Sequence, residues 1–181
     1  MEIGHLGAQQ AAIVWWSLTF AVLYGIALLF LLHMLPPPGA TRSAAEVASW
    51  YSQRAGEIRI GATLASYCAA FTLPLWAVIA IQIGRQERGR PIWAVTAGLG
   101  GAVLSLALAL PPLFLGVAAF NSGSLPEVTS VMHSLGVLTL VTAVQWNPFA
   151  FVPVIVVCVL PHKAPHSPFP RGTATSPRGR H

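Results

Sequence analysis

An uninterrupted apolar run from Ile60 to Ile83 constrains this chain more than any other feature. None of its 24 residues is Asp, Glu, Lys or Arg. At about 1.5 Å of rise per residue, a helix of this length covers the roughly 30 Å hydrocarbon core of a bilayer with some tilt. The run therefore predicts a transmembrane helix.

Three further apolar segments have comparable lengths. The four predicted spans are 11–35, 60–83, 92–120 and 131–160. Only 8% of the 181 residues are charged, against about a quarter in soluble domains. The first span is expected to be retained, because it is longer than a cleavable signal core and no basic region precedes it. The sequence thus predicts an all-α, polytopic integral membrane protein with one transmembrane domain, 1–160.

A short amphipathic helix is expected over 44–58, before the second span. Ser43 and Glu46 have the spacing of a capping box, in which each side chain bonds a backbone N–H left free at a helix start. Val47 and Ile58 belong to its apolar side. Such a helix can lie in the membrane interface or cap the bundle, and the sequence leaves both open.

The basic residues favour an orientation with both termini in the cytoplasm. The 84–91 loop carries three arginines and the 161–181 tail carries four Lys or Arg, whereas Arg42, Arg54 and Arg59 fall on the other side. Positive residues accumulate on the cytoplasmic side, which predicts a plasma-membrane protein in this orientation. Their placement around apolar segments argues against nucleic-acid binding. The proline-rich tail is expected to be disordered.

Prolines interrupt two of the predicted spans. Proline removes a backbone donor and crowds the preceding turn, so each is expected to kink or break its helix. A broken helix at mid-membrane can line a substrate site. The expected break residues are Pro111, Pro112, Asn147, Pro148 and Pro153.

Small residues recur every fourth position in the second and third spans. This spacing lets helix backbones approach closely, which favours association in lipid. Packing within the chain is the favoured interpretation, and a contact between copies is the alternative. The residues are Gly61, Ala65, Ala69, Ala97, Gly101, Ser105 and Ala109.

Two His-Met pairs are the candidates for metal binding. His33-Met34 ends the first span and Met132-His133 begins the fourth, so the predicted topology places both at the outer interface. Two imidazoles and two thioethers suit copper or, less well, haem. Ordinary interfacial packing is favoured, and no cofactor is predicted. Nothing resembles a nucleotide loop, a zinc spacing or a nucleophile elbow, so the sequence argues against an enzyme.

One stretch carries a family resemblance. The run 37–46 (PPGATRSAAE), Trp50-Tyr51 and the entry Ile58-Arg59-Ile60-Gly61 resemble uncharacterised multi-pass membrane proteins of actinobacteria, over about 11–171. The resemblance implies no activity and no functional residues. Family members continue beyond a Phe-Pro-Arg-Trp-like motif into further spans, whereas here Gly172 follows Phe169-Pro170-Arg171. The resemblance therefore implies truncation or a frameshift at the C-terminus.

Two functions follow as expectations. The first is a non-enzymatic accessory or packing component of a membrane assembly, with the lipid bilayer and another membrane protein or a second copy as partners. The alternative is a small-molecule or lipid permease, or a fragment of one, that uses the broken fourth span. A carrier should have a polar cavity between spans two and four, and an accessory subunit a dry, tightly packed interior.

Overall fold

The structure, a computed structural model, describes residues 2–34, 42–87 and 89–159. Within these ranges the secondary structure is helical and no strand occurs. Helix α1 spans Glu2–Ile26 and ends in a π-helical turn, Ala27–Leu31. The others are α2 Ala44–Gln53, α3 Ala55–Ala70, α4 Leu73–Gln86, α5 Ile92–Asn121, α6 Pro126–Ala143 and α7 Asn147–Val159, with a 3₁₀ turn at Val144–Trp146 between the last two.

Four helical stretches are long and apolar enough to cross a membrane. They are Ala8–Leu31, Ala55–Gln86, Ile92–Asn121 and Pro126–Val159. The prediction of an all-α polytopic membrane protein with four spans is confirmed. The predicted ends of the first and fourth spans at Leu35 and Leu160 lie outside the described residues, as do Pro36–Pro38 and the 161–181 tail.

The second span differs from a single regular helix. It divides into α3 and α4 at Phe71–Thr72. Pro74 explains the break, because it has no N–H to donate to the carbonyl of Ala70 and its ring crowds the preceding turn.

The third span differs in the opposite direction. We expected Pro111-Pro112 to kink α5 or end its regular part. The helix does not end there, since it runs unbroken from Ile92 to Asn121, and the kink stays a prediction. Both proline rings are fully buried between helices.

The helix expected over 44–58 is shorter than predicted. It ends at Gln53, and Ile58 belongs to α3. The expected capping box at its start is confirmed: Glu46 accepts from the backbone N–H of Ser43 at 2.7 Å, and the Ser43 hydroxyl accepts from the Glu46 N–H at 3.4 Å. Tyr51 is fully buried, so the apolar side of α2 packs against the bundle.

Helix α5 is the centre of the bundle. It contacts α3, α4, α6 and α7. Its N-terminus is capped from the preceding loop by Glu87, whose carboxylate accepts from the N–H groups of Trp93 at 2.8 Å and Ala94 at 3.0 Å. A carboxylate at this end also complements the positive end of the helix dipole. The third span is thus fixed both by its neighbours and at its entry.

Candidate functional site

A buried side-chain pair ties α2 to the fourth span. The hydroxyl oxygen of Tyr51 lies 2.9 Å from Nδ1 of His133, near the start of α6. Only 7% of His133 is exposed. Burial raises the pKa of Tyr51, so its phenol stays protonated at neutral pH and can donate to the imidazole. The pair holds α2 on the ends of the spans.

Aromatic rings connect this pair to the first span. The ring of Tyr51 packs edge-on against Trp50 at 5.0 Å, and Trp50 packs edge-on against His33 at 6.5 Å between ring centroids. Nε2 of His33 also lies 3.0 Å from a carboxylate oxygen of Glu57. Each candidate histidine therefore bonds a different side chain, and two rings of α2 lie between them.

The two candidate methionines belong to the apolar cluster beneath these rings. Met34 is 4% exposed within a core cluster that includes Val47 and Leu115, and Met132 packs against the same cluster. Within the described ranges, no group of three or more His, Cys, Asp or Glu side chains could hold a metal ion. The copper or haem hypothesis for two His and two Met residues stays a prediction. Purified protein without copper and without a visible absorption band would rule it out.

A polar layer crosses the bundle at the break in the second span. The Ser17 hydroxyl of α1 donates to the Phe71 carbonyl at 3.0 Å. The Thr72 hydroxyl oxygen lies 2.7 Å from both the Ala69 carbonyl and the Ser105 hydroxyl of α5. Backbone groups freed by a helix break are costly in lipid unless other groups bond them. The Ser17 hydroxyl therefore bonds one carbonyl of the break from α1, and the Thr72 hydroxyl links the break to α5.

The predicted small-residue positions lie at helix contacts within the chain. A Cβ on Gly61 would come within 2.5 Å of the Cβ of Leu31, and one on Gly101 within 2.1 Å of the Trp76 ring. Of the seven predicted positions, Ala109 is half-buried and the rest are buried: Gly61, Ala65, Ala69, Ala97, Gly101 and Ser105. Gly61 thus lets α3 approach the first span closely, whereas Gly101 makes room on α5 for the Trp76 ring of α4.

The break in the fourth span faces outward. Val144 is 62% exposed and Trp146 is 42% exposed. Gln145 between them is also exposed. Across residues 2–34, 42–87 and 89–159, no group hydrogen-bonds the Gln145 side-chain amide. The Gln145 amide of this break is thus presented to the surroundings of the bundle, away from its interior.

The contacts define a polytopic α-helical membrane protein whose third span is the packing centre. No protein-family model, curated protein or solved structure matches this chain.

Several residues with clear structural roles were missed at the level of the sequence. Ser17 and Thr72 have no distinguishing local pattern, because isolated hydroxyl residues are common in membrane helices. Pro74 did carry a signal: a proline inside an apolar span predicts a helix break. The break in turn predicts that hydroxyl donors lie nearby.

Proposed function

We propose that this protein is a non-enzymatic accessory component of a membrane assembly, and that it contacts a partner transmembrane helix through the fourth span around Gln145. The observation that carries the proposal is the exposed Gln145 amide, which has no hydrogen-bond partner in the described part of the chain. In lipid such an amide favours a neighbouring helix that can bond it.

The position of Gln145 along the bundle supports this assignment. Gly100 of α5 meets the backbone of Phe149, and Gly136 meets the side chain of Leu115. The 3₁₀ turn therefore lies beside the middle of α5. The 30 residues of that helix extend about 45 Å, beyond a hydrocarbon core of about 30 Å. Gln145 is accordingly placed at hydrocarbon depth.

The packing of the interior favours an accessory component over a carrier. Along α5, a Cβ on Gly100 would come within 2.6 Å of the Phe149 backbone, and one on Gly116 within 2.9 Å of Ala62. Carbonyls near the prolines are bonded within the chain, by Ser17 at Phe71 and by Tyr24 at Leu108 of the unbroken α5. Tight backbone contacts and internally satisfied carbonyls are typical of a packing role. The alternative permease needs the fourth-span break to line a cavity, whereas Val144 and Trp146 face outward.

Site-specific photocrosslinking in native membranes tests the proposal. A photoreactive residue replaces Gln145 in one variant and Leu106, an equally lipid-facing residue of α5, in a matched control. We expect a discrete protein adduct from position 145 and none from position 106. If both positions gave lipid adducts and no protein adduct, the result would contradict the proposed helix contact.

Two substitutions then test whether the partner is held by the Gln145 amide or only lies close to position 145. Gln145→Leu removes the amide at similar volume, and Gln145→Asn retains it. We expect Gln145→Leu to weaken recovery of the adduct partner and Gln145→Asn to restore most of it. Differently labelled copies of the chain, tested for energy transfer in one bilayer, show whether the partner is a second copy. Flux of apolar or polar solutes into vesicles that hold the isolated chain would favour the permease instead.

A further inference from the structure

An open apolar groove runs down the outer surface between α3 and α5. Its volume is about 770 Å³, within the range of small-molecule sites. The floor consists of small residues, including Ala62, Ser66 and Gly116, and two exposed aromatic side chains, Tyr67 and Phe120, form its walls. Helices α3 and α5 pack closely beneath the groove, since a Cβ on Gly116 would come within 2.9 Å of the Ala62 Cβ.

A second hollow lies on the other side of the same ridge. It has a volume of about 480 Å³ and is lined by Ile60, Leu64 and the ridge residues Arg59, Thr63 and Tyr67. The ridge residues are spaced four apart on α3, so they form one line along the helix. Both hollows therefore begin at Arg59. The line of ridge residues separates them as far as Tyr67, which lies about 12 Å from Arg59 along the helix axis.

Arg59 is the charged group at the shared end of the two hollows. Its Nη2 donates to the carbonyls of Ala119 at 3.1 Å and Phe120 at 3.5 Å, and its guanidinium lies 4.8 Å from the centre of the Phe120 ring. These bonds orient the guanidinium and leave the donors on Nη1 and Nε. Within the described residues Arg59 has no acidic partner, since the nearby carboxylate of Glu57 pairs with His33. The residue is exposed.

We infer that this surface binds a diacyl phospholipid with an anionic headgroup. The phosphate pairs with the guanidinium of Arg59, and the two acyl chains lie in the two hollows on either side of Thr63 and Tyr67. Charge complementarity selects this occupant: a planar guanidinium with free donors suits a phosphate, and a positive charge that no carboxylate of the described residues neutralises favours a headgroup with net negative charge. The geometry agrees, since the hollows extend from the charge along the helix axis, as lipid tails do in a bilayer.

Native mass spectrometry of the full chain, released from nanodiscs of phosphatidylglycerol and phosphatidylcholine, tests this inference. Wild-type protein should retain phosphatidylglycerol about fivefold more than phosphatidylcholine, the ratio expected for one basic residue near an anionic lipid. Arg59→Gln should abolish the preference. Arg85→Gln removes the same charge from an exposed residue of α4 and should leave the preference intact.

A second variant keeps the test independent of the contacts that Arg59 makes with α5. Ala70 lines the larger hollow and is exposed, so Ala70→Leu narrows the hollow without altering helix packing. It should lower the retention of both lipids, with the helix content unchanged by circular dichroism. Equal retention in wild type, Arg59→Gln and Ala70→Leu would overturn the inference. So would crosslinks that place a second protein helix in the groove.

Discussion

The hydroxyl of Tyr24 in α1 donates to the carbonyl oxygen of Leu108 in α5 at 2.9 Å. Leu108 lies four residues before Pro112, so its carbonyl is the one that the missing proline N–H would have bonded. A side chain from 84 residues away along the chain therefore replaces the lost helical hydrogen bond. This contact helps to explain why α5 continues through two adjacent prolines.

The first prediction concerns this bond. Tyr24→Phe should lower the free energy of unfolding in bicelles by about 1 kcal/mol, since it leaves a carbonyl unpaired at hydrocarbon depth. The double-mutant cycle with Pro112→Ala provides the control. With alanine at position 112 the helix can bond Leu108 itself, so Tyr24→Phe should then cost little. An equal loss in both backgrounds would show that the hydroxyl acts elsewhere.

The second prediction concerns the contact of α5 with α7. Gly100→Ala should destabilise the bundle by about 1–3 kcal/mol, because the new Cβ would come within 2.6 Å of the Phe149 carbonyl group and backbone cannot move aside locally. Gly25→Ala is the matched control, since nothing lies within 4 Å of a Cβ there. Unfolding of both variants in the same bicelles gives the comparison. Equal stabilities would mean that the two helices separate without cost.

The third prediction is a pH dependence of the start of α2. Hydrogen bonds from the backbone and hydroxyl of Ser43 lower the pKa of Glu46 below its ordinary value of 4.5. A carboxyl whose pKa is lower in the folded state stabilises that state above the unfolded pKa, and the stabilisation is lost as the pH falls through the folded pKa. The protection factors of the amides at residues 43–47, taken relative to the intrinsic exchange rate at each pH, should therefore fall below about pH 4.5.

Glu46→Gln is the control for that measurement. A glutamine does not titrate, so the loss of protection in acid should disappear while the helix start remains. The same fall in protection factor in Glu46→Gln would assign it to another group.

The fourth prediction is the orientation in the membrane. Cys68 and Cys158 are replaced by alanine, and single cysteines are placed at Ser49 on α2 and at Pro91 before α5; both positions are exposed. A membrane-impermeant thiol reagent added to intact cells should label position 49 and spare position 91 until the membrane is opened. The reverse labelling would contradict the orientation that the positive residues predict.

The sequence predicted the elements with strong local signals. The Ser43–Glu46 capping box forms as expected because both partners lie within one helical turn. The interruption of the fourth span by Asn147-Pro148 was also expected, and a 3₁₀ turn ends immediately before Asn147. The break expected at Pro153 is wrong, because α7 continues through this proline. The boundary at Gln53 was missed, since the periodicity of α2 continues into α3 without a strong local stop signal.

The prolines show where local reasoning fails. Pro74 separates α3 from α4, whereas Pro111 and Pro112 lie inside one helix. The local chemistry is the same in each case, because a donor is lost and the preceding turn is crowded. The side chains that bond carbonyls near these prolines, Ser17 at Phe71 and Tyr24 at Leu108, could not be assigned before the helices were placed.

By itself, the sequence determined that this is a helical membrane protein with four spans, because long runs without charge can satisfy their backbone in lipid only as helices. The tertiary structure alone decided which apolar faces pack and which meet lipid. Hydropathy cannot separate these surfaces, since lipid tails are as apolar as the side chains of a core. The buried Ala65 and the exposed Leu99 therefore look alike until neighbouring helices are in place. The groove beneath Arg59 and the outward Gln145 exist only in that arrangement.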